Sequence, residues 1–190
     1  AWTWPIGAKW ETPYIVRYAS NLDDGPEHGI PLGGLGAGCI GRAPNGTFNL
    51  WHLDGGEHIF EHFPACQFAV YEETAGESQT YAMATSGNGL DSWQWYPAGG
   101  RERNQTRTGS TEQSVGGTYH ALYPRSWYSY RDIFKAELTC EQFSPIWPDN
   151  YCESRYPVAV FVWTAHNPTD GTMTLSILLS WKNMVGWFTN

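Results

Sequence analysis

The sequence predicts an all-β fold, a β-sandwich, and three observations carry that prediction. First, the 190 residues hold 11 Trp and 11 Tyr beside 21 Gly and 12 Pro. The apolar mass therefore sits on flat rings and the chain is cut often by turn formers, the opposite of what long amphipathic helices need. Second, residues 134–143, FKAELTCEQF, alternate with period two. Phe134, Ala136, Leu138 and Cys140 share one face; Lys135, Glu137, Thr139 and Glu141 share the other. Third, no window of about 11 residues carries an apolar stripe of helical period.

The remaining elements follow in chain order. FNLWHL (48–53), CQFAVY (66–71) and QTYAMAT (79–85) read as short strands. Residues 98–117, AGGRERNQTRTGSTEQSVGG, are polar and glycine-rich and read as a long surface loop. VAVFVWTA (158–165) is apolar on both faces, as a strand inside a sheet would be. Asn167–Gly171, NPTDG, is turn chemistry. TMTLSILLSW (172–181) then points Met173, Leu175, Ile177, Leu179 and Trp181 inward and Thr172, Thr174, Ser176 and Ser180 outward, which predicts a hairpin with the preceding strand. Strands with one or two dry faces pack as a sandwich, and the length suits one domain with a real core.

The formal charge of −8 argues against nucleic acid or an anionic membrane as partner, because phosphate binding needs clustered Lys and Arg. The densest basic group, Arg101, Arg103 and Arg107, lies in the polar loop and is read as solvated. Cysteines at 39, 66, 140 and 152 contain no C-x-x-C; they fit two disulfides or buried free thiols, with a weak lean towards a reducing compartment. Two glycosylation sequons, at Asn45 and Asn104, are short patterns that arise by chance. No stretch has the length of a membrane span and no basic start leads into an apolar run. The chain opens on Ala1 rather than Met, as a processed or excised chain would.

Gly36-Ala37-Gly38-Cys39-Ile40-Gly41 satisfies the dinucleotide-binding pattern G-x-G-x-x-G. That pattern works only between a buried strand and a helix N-terminus. Upstream lies polar, proline-broken NLDDGPEHGIPL, and downstream Arg42-Ala43-Pro44-Asn45-Gly46 forbids a helix. The glycines are therefore read as permitting tight backbone passage. No cofactor is expected.

Other groups are weighed the same way. In GEHIFEHF, His58 and His62 would share a face of a helix with His52 nearby, a zinc-like set alongside Glu57 and Glu61. The sequence is not H-E-x-x-H and the surroundings are not helical, so surface residues are favoured over metal. Asp23, Asp24 and Glu27 lie adjacent in a turn, whereas glycosidic acid/base pairs face each other across roughly 5–10 Å. G-x-S-x-G is missing from the sequence. Trp93, Trp95 and Tyr96 in SWQWYPAGG, and Tyr119, His120, Tyr123, Arg125, Trp127, Tyr128 and Tyr130 in TYHALYPRSWYSYRD, suit either sugar stacking or a core or domain interface; the second is favoured.

The order of motifs says more than any one of them. GIPLGGLGAGCIGR, FNLWHL, CQFAVY, SWQW, TYHALYPRSWYSY, CEQFSPIWPDNY, ESRYPVAVFVWTAHNP and LLSWKNMVG follow one another between about Gly29 and Gly186. This succession resembles the N-terminal domain of the bile-acid β-glucosidase or non-lysosomal glucosylceramidase family, glycoside hydrolase family 116. The resemblance implies a lead-in over 1–28, a sandwich over 29–190, and a following (α/α)6 catalytic barrel absent from this chain. It implies retaining hydrolysis of β-glucosides such as glucosylceramide, by a Glu nucleophile and an Asp acid/base on the barrel, so that no catalytic residue is expected here. Family sandwiches continue past the SWKNMVG region. The present one is thus expected to be incomplete, with open strand edges and uncovered apolar faces unless another chain covers them. A cytoplasmic place, peripheral to a membrane, and homo-oligomer formation accompany this reading. The alternative is a stand-alone carbohydrate-binding or interaction module.

Six residues are the candidates for a domain interface or cleft wall: Arg42, Trp51, Trp95, His120, Arg125 and Trp127. Arg42 and Arg125 lie in distinctive motifs among apolar neighbours, where burial beside a carboxylate is the expected arrangement.

Overall fold

The structure is a computed structural model and describes residues 2–8, 26–53, 58–85, 94–97, 101–104, 111–114 and 116–185. In chain order the strands are β1 (Trp2–Pro5), β2 (Pro31–Leu32), β3 (Cys39–Arg42), β4 (Phe48–His52), β5 (Gln67–Thr74), β6 (Glu77–Ala82), β7 (Arg101–Asn104), β8 (Thr111–Ser114), β9 (Gly117–Leu122), β10 (Arg125–Tyr130), β11 (Glu137–Phe143), β12 (Val160–His166) and β13 (Met173–Ser180). A 3-10 turn at Pro26–His28 and one helical turn, Tyr151–Ser154, complete the set.

One layer is the five-stranded sheet β1-β9-β10-β11-β12, antiparallel throughout. Its edge strand β1 comes from the lead-in, ahead of Gly29. The facing layer combines β13-β5-β6 with β2-β3-β4, while β7 and β8 pair as a separate ribbon within the span read as a loop. The predicted sandwich is present, and aromatic rings fill it. Phe48 packs edge-on to Phe161 at 5.9 Å, and Phe68 does so to Trp163 at 5.1 Å. Tyr130 stacks on Trp163 at 5.8 Å.

Period-two alternation separates the faces of the large sheet. Trp4, Tyr119, Tyr128, Cys140 and Trp163 are cross-strand neighbours in one row facing the core. Tyr119, Tyr128 and Cys140 in that row are fully buried. The alternation expected of FKAELTCEQF holds: Ala136, Leu138 and Cys140 are buried, and Lys135, Glu137 and Thr139 are exposed.

The C-terminal hairpin is a correction. β12 pairs with β11 and β13 pairs with β5, so 167–172 carries the chain from one layer to the other. The turn chemistry itself is real: the Asn167 carboxamide oxygen accepts from the Thr169 N–H at 3.0 Å and its hydroxyl at 2.7 Å. Turn residues fix a local reversal but not the partners of the flanking strands. β13 aligns with β5 over eight positions, from Met173↔Thr74 to Ser180↔Gln67. β12 is consequently a sheet edge rather than an interior strand.

That arrangement leaves one side of the sandwich open. Ile177 and Leu179 sit opposite the buried Val70 and Phe68, on the core face, yet are 39% and 46% exposed. Trp181, 42% exposed, nevertheless packs edge-on to Phe48 at 5.1 Å.

No disulfide joins Cys39, Cys66, Cys140 or Cys152. Burial pushes the Cys140 thiol up to about 11. Glu72, buried on β5, bridges the layers: its carboxylate accepts from the backbone N–H of Lys135 (3.0 Å) and Ala136 (2.8 Å) and from the Gln79 amide (2.8 Å). Glu72→Ala is expected to cost about 2–3 kcal/mol in urea unfolding, because buried backbone donors lose a charged acceptor. A loss below about 0.5 kcal/mol would contradict that bridging role.

Candidate functional site

The outer face of the five-stranded sheet gathers three of the six candidate residues. Register aligns Thr3, His120, Trp127, Glu141 and Val162 as one cross-strand row, and Leu122, Arg125, Phe143 and Val160 as the next. His120 is pinned at both ring nitrogens, to the Thr3 hydroxyl at 2.9 Å and the Thr118 hydroxyl at 3.0 Å. Arg125 reaches along its own face to pair with Glu141, with its guanidinium 4.8 Å from the centre of the Phe143 ring. Trp127 is half-buried among these neighbours.

The face is thus a band of aromatic and aliphatic groups crossed by one Arg–Glu pair. It offers shape, apolar contact and a fixed positive and negative point, as a docking surface does. Arg125 has its expected carboxylate but not its expected burial, since its side chain is 52% exposed. Arg125→Ala in this chain is therefore expected to lower stability by less than about 1 kcal/mol, read by thermal melting. A loss of about 3 kcal/mol or more would mean the pair is desolvated.

Arg42 reverses both features. It is fully buried, and among the described residues no carboxylate is one of its hydrogen-bond partners. A register shift between Gly41 and Arg42 marks a bulge in the β3–β4 pairing and accompanies the inward turn of the side chain. The guanidinium donates to the carbonyls of Gly46 (3.1 Å) and Met83 (3.2 Å) and to the Tyr130 hydroxyl (3.0 Å). It also lies over the Tyr128 ring at 4.2 Å and the Phe68 ring at 5.1 Å. Tyr128 in turn donates to the carbonyls of Arg42 (2.9 Å) and Ala43 (2.8 Å).

This set keeps Arg42 charged. Burial opposes the charge, but Tyr130, Tyr128 and Cys140 outweigh it, and the guanidinium is held above its ordinary value. Burial pushes Tyr130 up to about 12 even though Arg42 pulls the other way. Arg42 is a keystone between the layers rather than a wall of any cleft.

Trp51 is likewise interior. It is fully buried, packs against Phe63 at 5.3 Å and Trp181 at 5.5 Å, and donates from its indole nitrogen to the Glu61 carbonyl at 2.7 Å. Trp95, half-buried, forms a bridge with Ala82 and meets the His62 ring edge-on at 6.4 Å, away from the row containing Trp127.

The glycine-rich stretch has a geometric reason. Gly34 carries no Cβ because one would strike the Arg155 carbonyl, and Gly38, at φ +81°, would strike the carbonyl of His52. The pattern leads into strand β3 and then a turn at 44–46, not into a helix. A separate open cleft of about 400 Å³ is lined by Glu72, Glu77, Asp132, Phe134 and Lys135. Glu72 is committed to the bridge described above, and Glu77 pairs with the Lys135 ammonium at 3.0 Å. Among the described residues, no helix is long and apolar enough to cross a membrane.

The fold defines an all-β sandwich domain whose outer face carries Trp127, Phe143 and the Arg125–Glu141 pair and whose β12–β13 side exposes apolar residues. Residues 29–190 match the family model described as beta-glucosidase 2, glycosyl-hydrolase family 116 N-term. The chain belongs to this family of glycoside hydrolase N-terminal domains.

Proposed function

We propose that this chain is the front part of a retaining β-glucosidase, acting on β-glucosides such as glucosylceramide, and that it scaffolds a C-terminal (α/α)6 catalytic domain. The observation carrying this reading is the family match across 29–190. Two features of the surface support it. The outer face with His120, Arg125 and Trp127 has the composition of a domain interface, and the β12–β13 side exposes core-facing Ile177 and Leu179. In this reading the nucleophile and the acid/base belong to the catalytic domain, and Trp127 and Arg125 meet it or border its cleft. A cytoplasmic, membrane-peripheral site of action and a homo-oligomeric state belong to the same reading.

The test is hydrolysis of an aryl β-glucoside by the complete natural polypeptide, with the anomer released followed by NMR. β-Glucose appears first if the reading is correct, and this chain alone turns over nothing. First release of α-glucose, or strong turnover by this chain alone, would contradict it.

A further inference from the structure

We propose that Cys39, His52 and His58 form a zinc site on the β3–β4 hairpin. Strand register creates it. Cys39 and His52 are direct cross-strand partners, and Trp51 bridges Ile59 through two backbone hydrogen bonds of 2.9 and 2.8 Å. In an antiparallel bridge the next pair outward is His52 with His58. Three adjacent backbones therefore carry Cys39, His52 and His58 side by side on one face, where cross-strand Cβ atoms lie about 5 Å apart.

The side chains follow the backbone. The thiol sulfur and one nitrogen of each imidazole all lie within 4.8 Å of one another, and all three residues are half-buried. The two imidazole rings have centroids 4.1 Å apart, and the Phe60 ring stacks on His58 at 6.1 Å as an apolar wall. Tetrahedral zinc with N and S ligands sets donor atoms about 3.3–3.8 Å apart. Closure needs a shift of about 1 Å, within reach of side-chain rotation.

One thiolate and two imidazoles are a borderline-soft set, matched to Zn²⁺ rather than to Ca²⁺ or Mg²⁺. Three protein ligands leave the fourth tetrahedral position to water or another donor. The ion would tie the exit of the glycine-rich segment to the backbone at His58 and Ile59. Gly38 makes this possible, since only a residue without Cβ lets β3 begin so close to the His52 carbonyl.

The experiment uses the complete natural polypeptide, stripped with chelator and dialysed against Zn²⁺, with Co²⁺ as spectroscopic probe. One equivalent of Zn²⁺ is expected to bind, and Co²⁺ to give a thiolate charge-transfer band with tetrahedral visible absorption. Cys39→Ser abolishes that band, and His52→Gln and His58→Gln each weaken zinc by more than about 100-fold. Cys152→Ser, at an exposed thiol elsewhere, leaves both readouts intact. Far-ultraviolet circular dichroism of each metal-free variant confirms folding. If Cys39→Ser does not fold, the two histidine variants decide. Binding below one equivalent, absence of the thiolate band in the folded parent, or zinc affinity equal to the parent's in both histidine variants would overturn the proposal.

Discussion

Arg42→Ala is expected to be among the most damaging single changes in this chain, lowering unfolding free energy by about 4 kcal/mol. Two losses combine. The Gly46 and Met83 carbonyls and the Tyr130 hydroxyl lose their shared donor inside the core, and each stranded polar group costs about 1–3 kcal/mol. A space also opens between the Phe48, Phe68 and Tyr128 rings that the guanidinium now fills. Arg42→Lys is expected to rescue little, because an ammonium cannot reach the same acceptors with a planar fork. Denaturant unfolding reads both variants, and a loss below about 1 kcal/mol for Arg42→Ala would show that the charge is not what holds the layers.

Trp51→Ala is expected to cost about 3–5 kcal/mol, the range for removing a large buried aromatic ring. Its indole meets Phe48, Phe63 and Trp181 and caps the Glu61 carbonyl. Trp51→Phe keeps part of the ring contact while stranding that carbonyl, so an intermediate loss is expected. Nearly equal stability of Trp51→Ala and the parent would mean the Trp181 side of the sandwich contributes little.

How far these residues were legible in the sequence depends on the link involved. Composition and the alternation at 134–143 suffice for the fold class, because period two is a local property of the backbone. Partner choice is not local. NPTDG specifies the turn at 167–171, yet the pairing of β13 with β5 depends on residues a hundred positions away. Arg42 and Trp51 stand out in sequence as unusual residues in distinctive motifs. Their interior position follows from a bulge and from rings on other strands, Tyr128 and Tyr130 above all. In RSWYSY, alternation of Arg125, Trp127 and Ser129 with Ser126, Tyr128 and Tyr130 is the signal that separates the outer face from the core.

The cluster of Cys39, His52 and His58 shows the same limit. As a helix, GEHIFEHF would join His58 to His62; the bridge between Ile59 and Trp51 brings His58 to His52 and Cys39 instead. His62 lies apart against Trp95, with its imidazole pulled below the ordinary range by burial. Spacing along the chain is informative only once the period is known.

The claim that this domain is a platform completed by further protein is tested most directly by amide hydrogen exchange on the complete natural polypeptide. Residues 160–166 and 173–180 form sheet edges here, and their amides are expected to be protected to nearly the level of central β10 once covered. Exchange at those positions as fast as in the exposed turn at 167–171 would contradict the account.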